Sequence, residues 1–196
     1  MLAGDTVRDR TDYRTLAITL LFAIGAAAAF KLPLLFGVNP FREGTGADID
    51  ADAAFYARNA SLLVLPLLVA FQVWRRRIPL RIAGWLAVPF VAAAVAVNAF
   101  PFEQGGDTEA PVAIHLPFAM WLVAGVAYLG GAWHSDAPRM DFVRFTGEWF
   151  IYYTLVARGG GVLSGLTIGV FEAIGIDMAP VIAGGVLPCG AAGAVI

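Results

Sequence analysis

Apolar residues fill six long blocks of the chain, separated by short stretches in which charged residues, proline and glycine collect. The blocks cover residues 16–36, 54–74, 82–100, 111–133, 148–170 and 178–196. Each holds about 20 mostly apolar residues, the length a helix rising about 1.5 Å per residue needs to cross a hydrocarbon core of about 30 Å. The pattern predicts an all-α polytopic membrane bundle of about six transmembrane helices, organised as one domain over residues 1–196. Six spans take about 120 residues and leave roughly 76 for tails and connectors, so no connector holds a soluble catalytic domain. The longest connector, residues 37–53, is shorter than most autonomous folds.

Composition agrees with the pattern. Apolar residues make up 59% of the 196, and charged residues 14%, against about 25% in an ordinary soluble domain. Thirteen Lys and Arg against fifteen Asp and Glu exclude the basic footprint of a nucleic-acid binder. The single cysteine allows no internal disulfide, and two histidines supply no zinc-finger spacing.

The basic residues fix an orientation, because basic loops near span ends stay cytoplasmic. Arg8, Arg10 and Arg14 precede the first block; Arg75, Arg76, Arg77 and Arg81 lie between the second and third; Arg139 and Arg144 follow the fourth. The opposite side has Arg42 and Arg58. The amino terminus is therefore expected in the cytoplasm. A cleaved signal peptide is the rival reading of the first block, since Arg14 precedes an apolar stretch ending in the alanines of residues 26–29. The run continues through Leu32, Leu34, Leu35 and Phe36, which makes it long enough to span. The sixth block ends in Cys189-Gly-Ala-Ala-Gly-Ala-Val-Ile196 without a basic tail, which reads as the amino-terminal part of a longer protein.

Few polar residues lie inside the blocks. Arg158 sits nine residues beyond Trp149, about 14 Å along a helix and near mid-membrane, where a charge costs about 2.5 to 3.5 kcal/mol on insertion scales. It needs protein, water or an anion around it, unless the span enters obliquely and Arg158 snorkels. Glu148 is a conceivable proton carrier, with Arg144 four residues back as its simple ion-pair partner. Lys31 lies within snorkelling reach of the outer face. Ala157, Gly161, Gly165, Gly169 and Ala173 recur every four residues, a small-residue ladder that lets helices approach closely. The same glycines could instead open a substrate path, as in discontinuous transporter helices. Residues 143–176 would be about 51 Å as one helix, so residues 141–149 are expected to lie at the interface, with Phe142, Phe145, Trp149, Tyr152 and Tyr153 as an aromatic belt. Asn98 reads as a helix-end residue beside Pro101.

Metal and cofactor chemistry find no support. His115 and His134 are nineteen residues apart, about 28 Å on one helix. Asp48-Ile-Asp-Ala-Asp52 starts like a calcium loop, but Ala53 and Asn59 occupy the positions that require Gly and Glu. It is expected to be a solvated loop capping the second helix. The Arg75-Arg-Arg77 run suits anionic lipid heads, although cytoplasmic retention alone explains it.

Met140-Asp-Phe-Val-Arg-Phe-Thr-Gly-Glu-Trp-Phe-Ile-Tyr-Tyr-Thr-Leu, with the following Gly-Gly-Gly-Val-Leu-Ser-Gly-Leu-Thr, resembles a bacterial inner-membrane family, domain of unknown function 4153. Phe55-Tyr-Ala-Arg-Asn59 before a proline-containing span and a basic turn resembles it too. The resemblance covers the chain from about Leu16 onward. It implies an inner-membrane, multi-pass protein without assigned catalytic residues. The expectation is a non-catalytic assembly, sensing or envelope-regulation module, with the lipid bilayer and other membrane subunits or further copies as partners through the Gly-rich fifth span. The alternative is a transporter or permease with an anion site at Arg158. No catalytic residue, metal ligand, cofactor or nucleic-acid partner is expected.

Overall fold

The computed structural model describes residues 3–41, 46–102, 107–130 and 136–196, with side chains described from residue 13 onward except that of residue 48. All regular structure among them is helical. α1 (Ala3–Lys31) continues into a 3-10 turn (Leu32–Phe36). α2 (Ala47–Arg76), α3 (Leu80–Ala99), α4 (Glu109–Tyr128) and α5 (Asp136–Ala173) follow, and α6 (Ala179–Gly193) carries a π-helical turn at Ile182–Val186. α1 to α5 are long and apolar enough to cross a membrane. The protein is a multi-pass membrane bundle.

α2 is its centre, packing on α1, α3 and α4. Antiparallel pairing is set by side chains: Phe22 meets Phe71 and Phe30 meets Tyr56 between α1 and α2. Arg76 lies over the ring of Tyr128, which brings the end of α4 beside the end of α2 and gathers the basic connectors at one end of the bundle. A core of Leu65, Leu68, Val69, Leu86, Phe90, Met120 and Ala124 ties α2 to α3 and α4. Pro66, Pro89 and Pro117 lie inside these helices, which is tolerated in spans where neighbours satisfy freed backbone groups. α2 stops at Arg77, whose backbone is left-handed (φ 53°), with Ile78 N–H donating back to Val73 O and Pro79 blocking continuation.

Three sequence expectations need correction. Residues 141–149 are not a separate interfacial helix: α5 is one unbroken helix of 38 residues, about 57 Å long, so it projects beyond the bilayer core. Phe142, Phe145 and Trp149 pack on Trp121 and Tyr128 of α4, and Trp149 stacks on Tyr153, while Tyr152 faces outward at 68% exposure. The sixth block does not make a full span. Only Ala179–Gly193 is helical there, about 22 Å of rise, with Pro180 in its first turn and a π-helical turn at Ile182–Val186. Finally, residues 48–52 form the opening turns of α2 rather than a loop, where negative charge favours a helix start. Asp52 accepts from Asn39 N–H at 2.8 Å.

Candidate functional site

The sequence candidates do not converge. Glu148 accepts from Arg144 Nε at 2.9 Å on an exposed face of α5. Arg158 is exposed on the same helix, ten residues, or about 15 Å, beyond Glu148, and makes no ion pair or hydrogen bond among the described residues. The ladder of Ala157, Gly161, Gly165, Gly169 and Ala173 is exposed throughout. A β-carbon added at Gly161, Gly165 or Gly169 would meet nothing within 4 Å. The face of α5 that does pack holds Phe142, Thr146, Trp149, Tyr153 and Ser164, spaced three, four, seven or eleven apart as one helix face requires. The ladder is thus a second face, unoccupied by the described residues.

Lys31 has a structural employment the sequence did not reveal. Pro188 has no N–H to give the carbonyl four residues back, that of Gly184. Lys31 Nζ donates to that carbonyl and lies 5.2 Å from the centre of the Phe41 ring. Gly184 is small for a reason, since a β-carbon there would stand 3.3 Å from Phe41 Cβ. The lysine therefore pins α6 to the end of α1.

The polar residues that do assemble lie on the outer third of α2. Arg58 Nη1 pairs with Glu109 Oε1 of α4 at 3.1 Å, with both side chains more than four-fifths buried, and the Arg58 guanidinium stands 4.9 Å from the centre of the Phe102 ring. One residue on, Asn59 and Asn98 exchange amide hydrogen bonds across α2 and α3 at 3.2 and 2.8 Å. Each amide also donates to its own helix, Asn59 to Phe55 O and Asn98 to Ala94 O. Tyr56 OH donates to Phe30 O of α1 at 3.1 Å. Tyr56, Arg58 and Asn59, within about one turn of α2, thus clamp α1, α3 and α4. In hydrocarbon such interhelical bonds contribute about 0.6 to 2 kcal/mol each. Sequence reading missed this network by assigning Arg58 to the outer charge count and Asn98 to a helix end. The available signal was the Arg58-Asn59 pair set inside an apolar block, facing Asn98 and Glu109 at neighbouring span ends.

A cavity of about 750 Å³ lies between α2, α4, α5 and α6, lined by Val64, Phe118, Trp121, Phe150 and Ala191 among others. Its size suits a small-molecule site, but no His, Cys, Lys, Arg, Asp or Glu lines it. Ser61 Oγ opens on it, buried and without a hydrogen-bond partner. Thr146 and Tyr153 line it too, and a hydroxyl without a base beside it is not an activated nucleophile. Arg158 lines neither this cavity nor the groove between α2 and α3. No cluster of three potential metal ligands occurs among the described residues; His115 Nδ1 is 2.7 Å from Pro111 O, and His134 lies outside them.

The chain matches no family model, no curated protein and no solved structure. Function is therefore argued from the geometry alone.

Proposed function

We propose that the chain is a non-catalytic assembly module of the bacterial inner membrane, which binds another membrane helix along the free face of α5. One observation carries the reading: the Gly161, Gly165 and Gly169 ladder and the neighbouring Arg158 are both exposed and unpartnered on a helix whose other face is packed. A charge at that depth is costly alone, and a stripe of small residues gains dispersion only when another backbone approaches it. A partner helix bearing a carboxylate would answer both needs. The four-residue ladder drifts about 40° around the helix per step, so a straight partner would meet the three central rungs. The resemblance to domain of unknown function 4153 is consistent with this setting and assigns no activity.

Chemical crosslinking in native membranes, followed by mild extraction and intact-mass measurement, tests the proposal. A complex heavier than the 20.7 kDa chain that is lost with Gly165→Leu, while the isolated chain stays folded, supports it. A chain that crosslinks to nothing, or a complex indifferent to both Gly165→Leu and Arg158→Leu, refutes it. The assembly reading also predicts that uptake of anions is unchanged by Arg158→Leu.

A further inference from the structure

A second apolar recess lies between α2 and α3, on the side away from α5. It is a groove of about 530 Å³ walled by Pro66, Ala70 and Val73 of α2 and by Ala83, Ala87 and Val91 of α3. It exists because alanines stand where larger side chains would close the two helices together. From Leu62 to Trp74 it follows α2 for twelve residues, about 18 Å, close to one leaflet of a core about 30 Å thick.

The groove ends at Trp74, where the basic turn begins. Arg75 and Arg76 close α2, Arg77 caps it, and Arg81 lies in the first turn of α3. All four are exposed. Arg76 is engaged with Tyr128 and Arg75 stands about 180° around α2 from Pro66, whereas Arg77 and Arg81 flank the turn and pair with no carboxylate among the described residues. α3 starts at Leu80; Ile82 and Ala83 N–H donate to Pro79 O, which leaves the N–H groups of Leu80 and Arg81 and the positive end of the helix dipole at the turn. Arg77 also holds a left-handed backbone (φ 53°) that glycine adopts at lower cost. Cytoplasmic retention would be served by an arginine at a relaxed neighbouring position just as well.

We infer that this groove and turn form a binding site for one anionic phospholipid of the inner leaflet, with an acyl chain along α2 and α3 and the phosphate held at the turn by Arg77 and Arg81. The two halves of the site match the two halves of the ligand. A partner helix would find the apolar wall but would have to bring its own anions to the arginines, and a free phosphate would leave the groove empty. Each arginine near an anionic headgroup contributes about fivefold in affinity on the surface-charge scale.

Native mass spectrometry of the full chain, released from detergent containing equal amounts of phosphatidylglycerol and phosphatidylcholine with identical acyl chains, tests the inference. Retained phosphatidylglycerol is expected to exceed phosphatidylcholine by at least about tenfold. R77Q/R81Q should remove the preference. Ala87→Phe, which fills the groove and leaves every arginine in place, should lower retained phosphatidylglycerol severalfold, so the result does not depend on how the double variant folds. Equal retention of both lipids by the wild-type chain overturns the inference. So does retention unchanged by Ala87→Phe, displacement of the lipid by millimolar inorganic phosphate, or a second copy of the chain in place of the lipid adduct.

Discussion

Replacing Lys31 by methionine isolates the device that holds α6 in the bundle. The substitution keeps the length of the apolar stem and removes the donor to Gly184 O. A hydrogen bond from a charged donor contributes about 1.5 to 3 kcal/mol, and the Phe41 ring contact about 0.5 to 1 kcal/mol more. Against this, methionine avoids the desolvation of an ammonium group. The net loss is therefore expected at about 1 to 2 kcal/mol, felt by α6 before the rest of the fold because α1 and α2 keep their own contacts. Cys189, half-buried on α6, reports the opening. Its labelling by a small permeant maleimide should accelerate about 5- to 30-fold if labelling follows local opening. Lys31→Arg keeps a charged donor on a stem of similar reach, so K31R should label at close to the wild-type rate. Equal labelling of K31M and K31R, both fast, would show that Lys31 acts through something other than its charged hydrogen bond to Gly184 O. Equal labelling of wild type and K31M would show that it does not hold α6 at all.

The amide pair between α2 and α3 should behave asymmetrically. Asn98→Leu strands the buried Asn59 acceptor and is expected to cost about 1 to 2 kcal/mol, whereas Asn59→Leu strands the more exposed Asn98 and should cost less; the double variant recovers part of the loss, read by reversible unfolding in mixed micelles. Additive losses would sink the reciprocal pairing. Glu109→Gln leaves the Arg58 charge beside Phe102 without its partner and should destabilise by about 1 to 3 kcal/mol, with Arg58→Met/Glu109→Leu closer to wild type than either single change. Gly125→Leu drives a side chain into the Phe142 ring, which lies 2.5 Å from where a β-carbon would stand. It is expected to cost about 1 to 3 kcal/mol of α4–α5 packing, and Phe142→Ala in the same chain should restore much of it in the same unfolding assay.

Local composition was enough to determine the class of this protein and the rough places of its helices. Blocks of about 20 apolar residues cannot remain in water, and in hydrocarbon the backbone has to satisfy itself as helix. Hence α3 matches its block to within two residues at each end, and the basic turns fall together at one end of the bundle. Local pattern could not say how far a helix runs past the membrane, because Asp141, Arg144 and Glu148 are as compatible with a projecting helix as with an interfacial one. It also overestimated the last block, where only Ala179–Gly193 is helical.

The tertiary structure decided which polar residues have partners. Arg58, Asn59 and Tyr56 look like isolated intrusions in an apolar run, and their partners Glu109, Asn98 and the Phe30 carbonyl stand 51, 39 and 26 residues away. Lys31 and Gly184 are separated by 153 residues. Arg158, the most prominent charge by sequence, has no ion-pair or hydrogen-bond partner among the described residues. In a bilayer, the cost of a polar group is set by what lies across the helix interface, and that is a property of packing rather than of sequence neighbourhood.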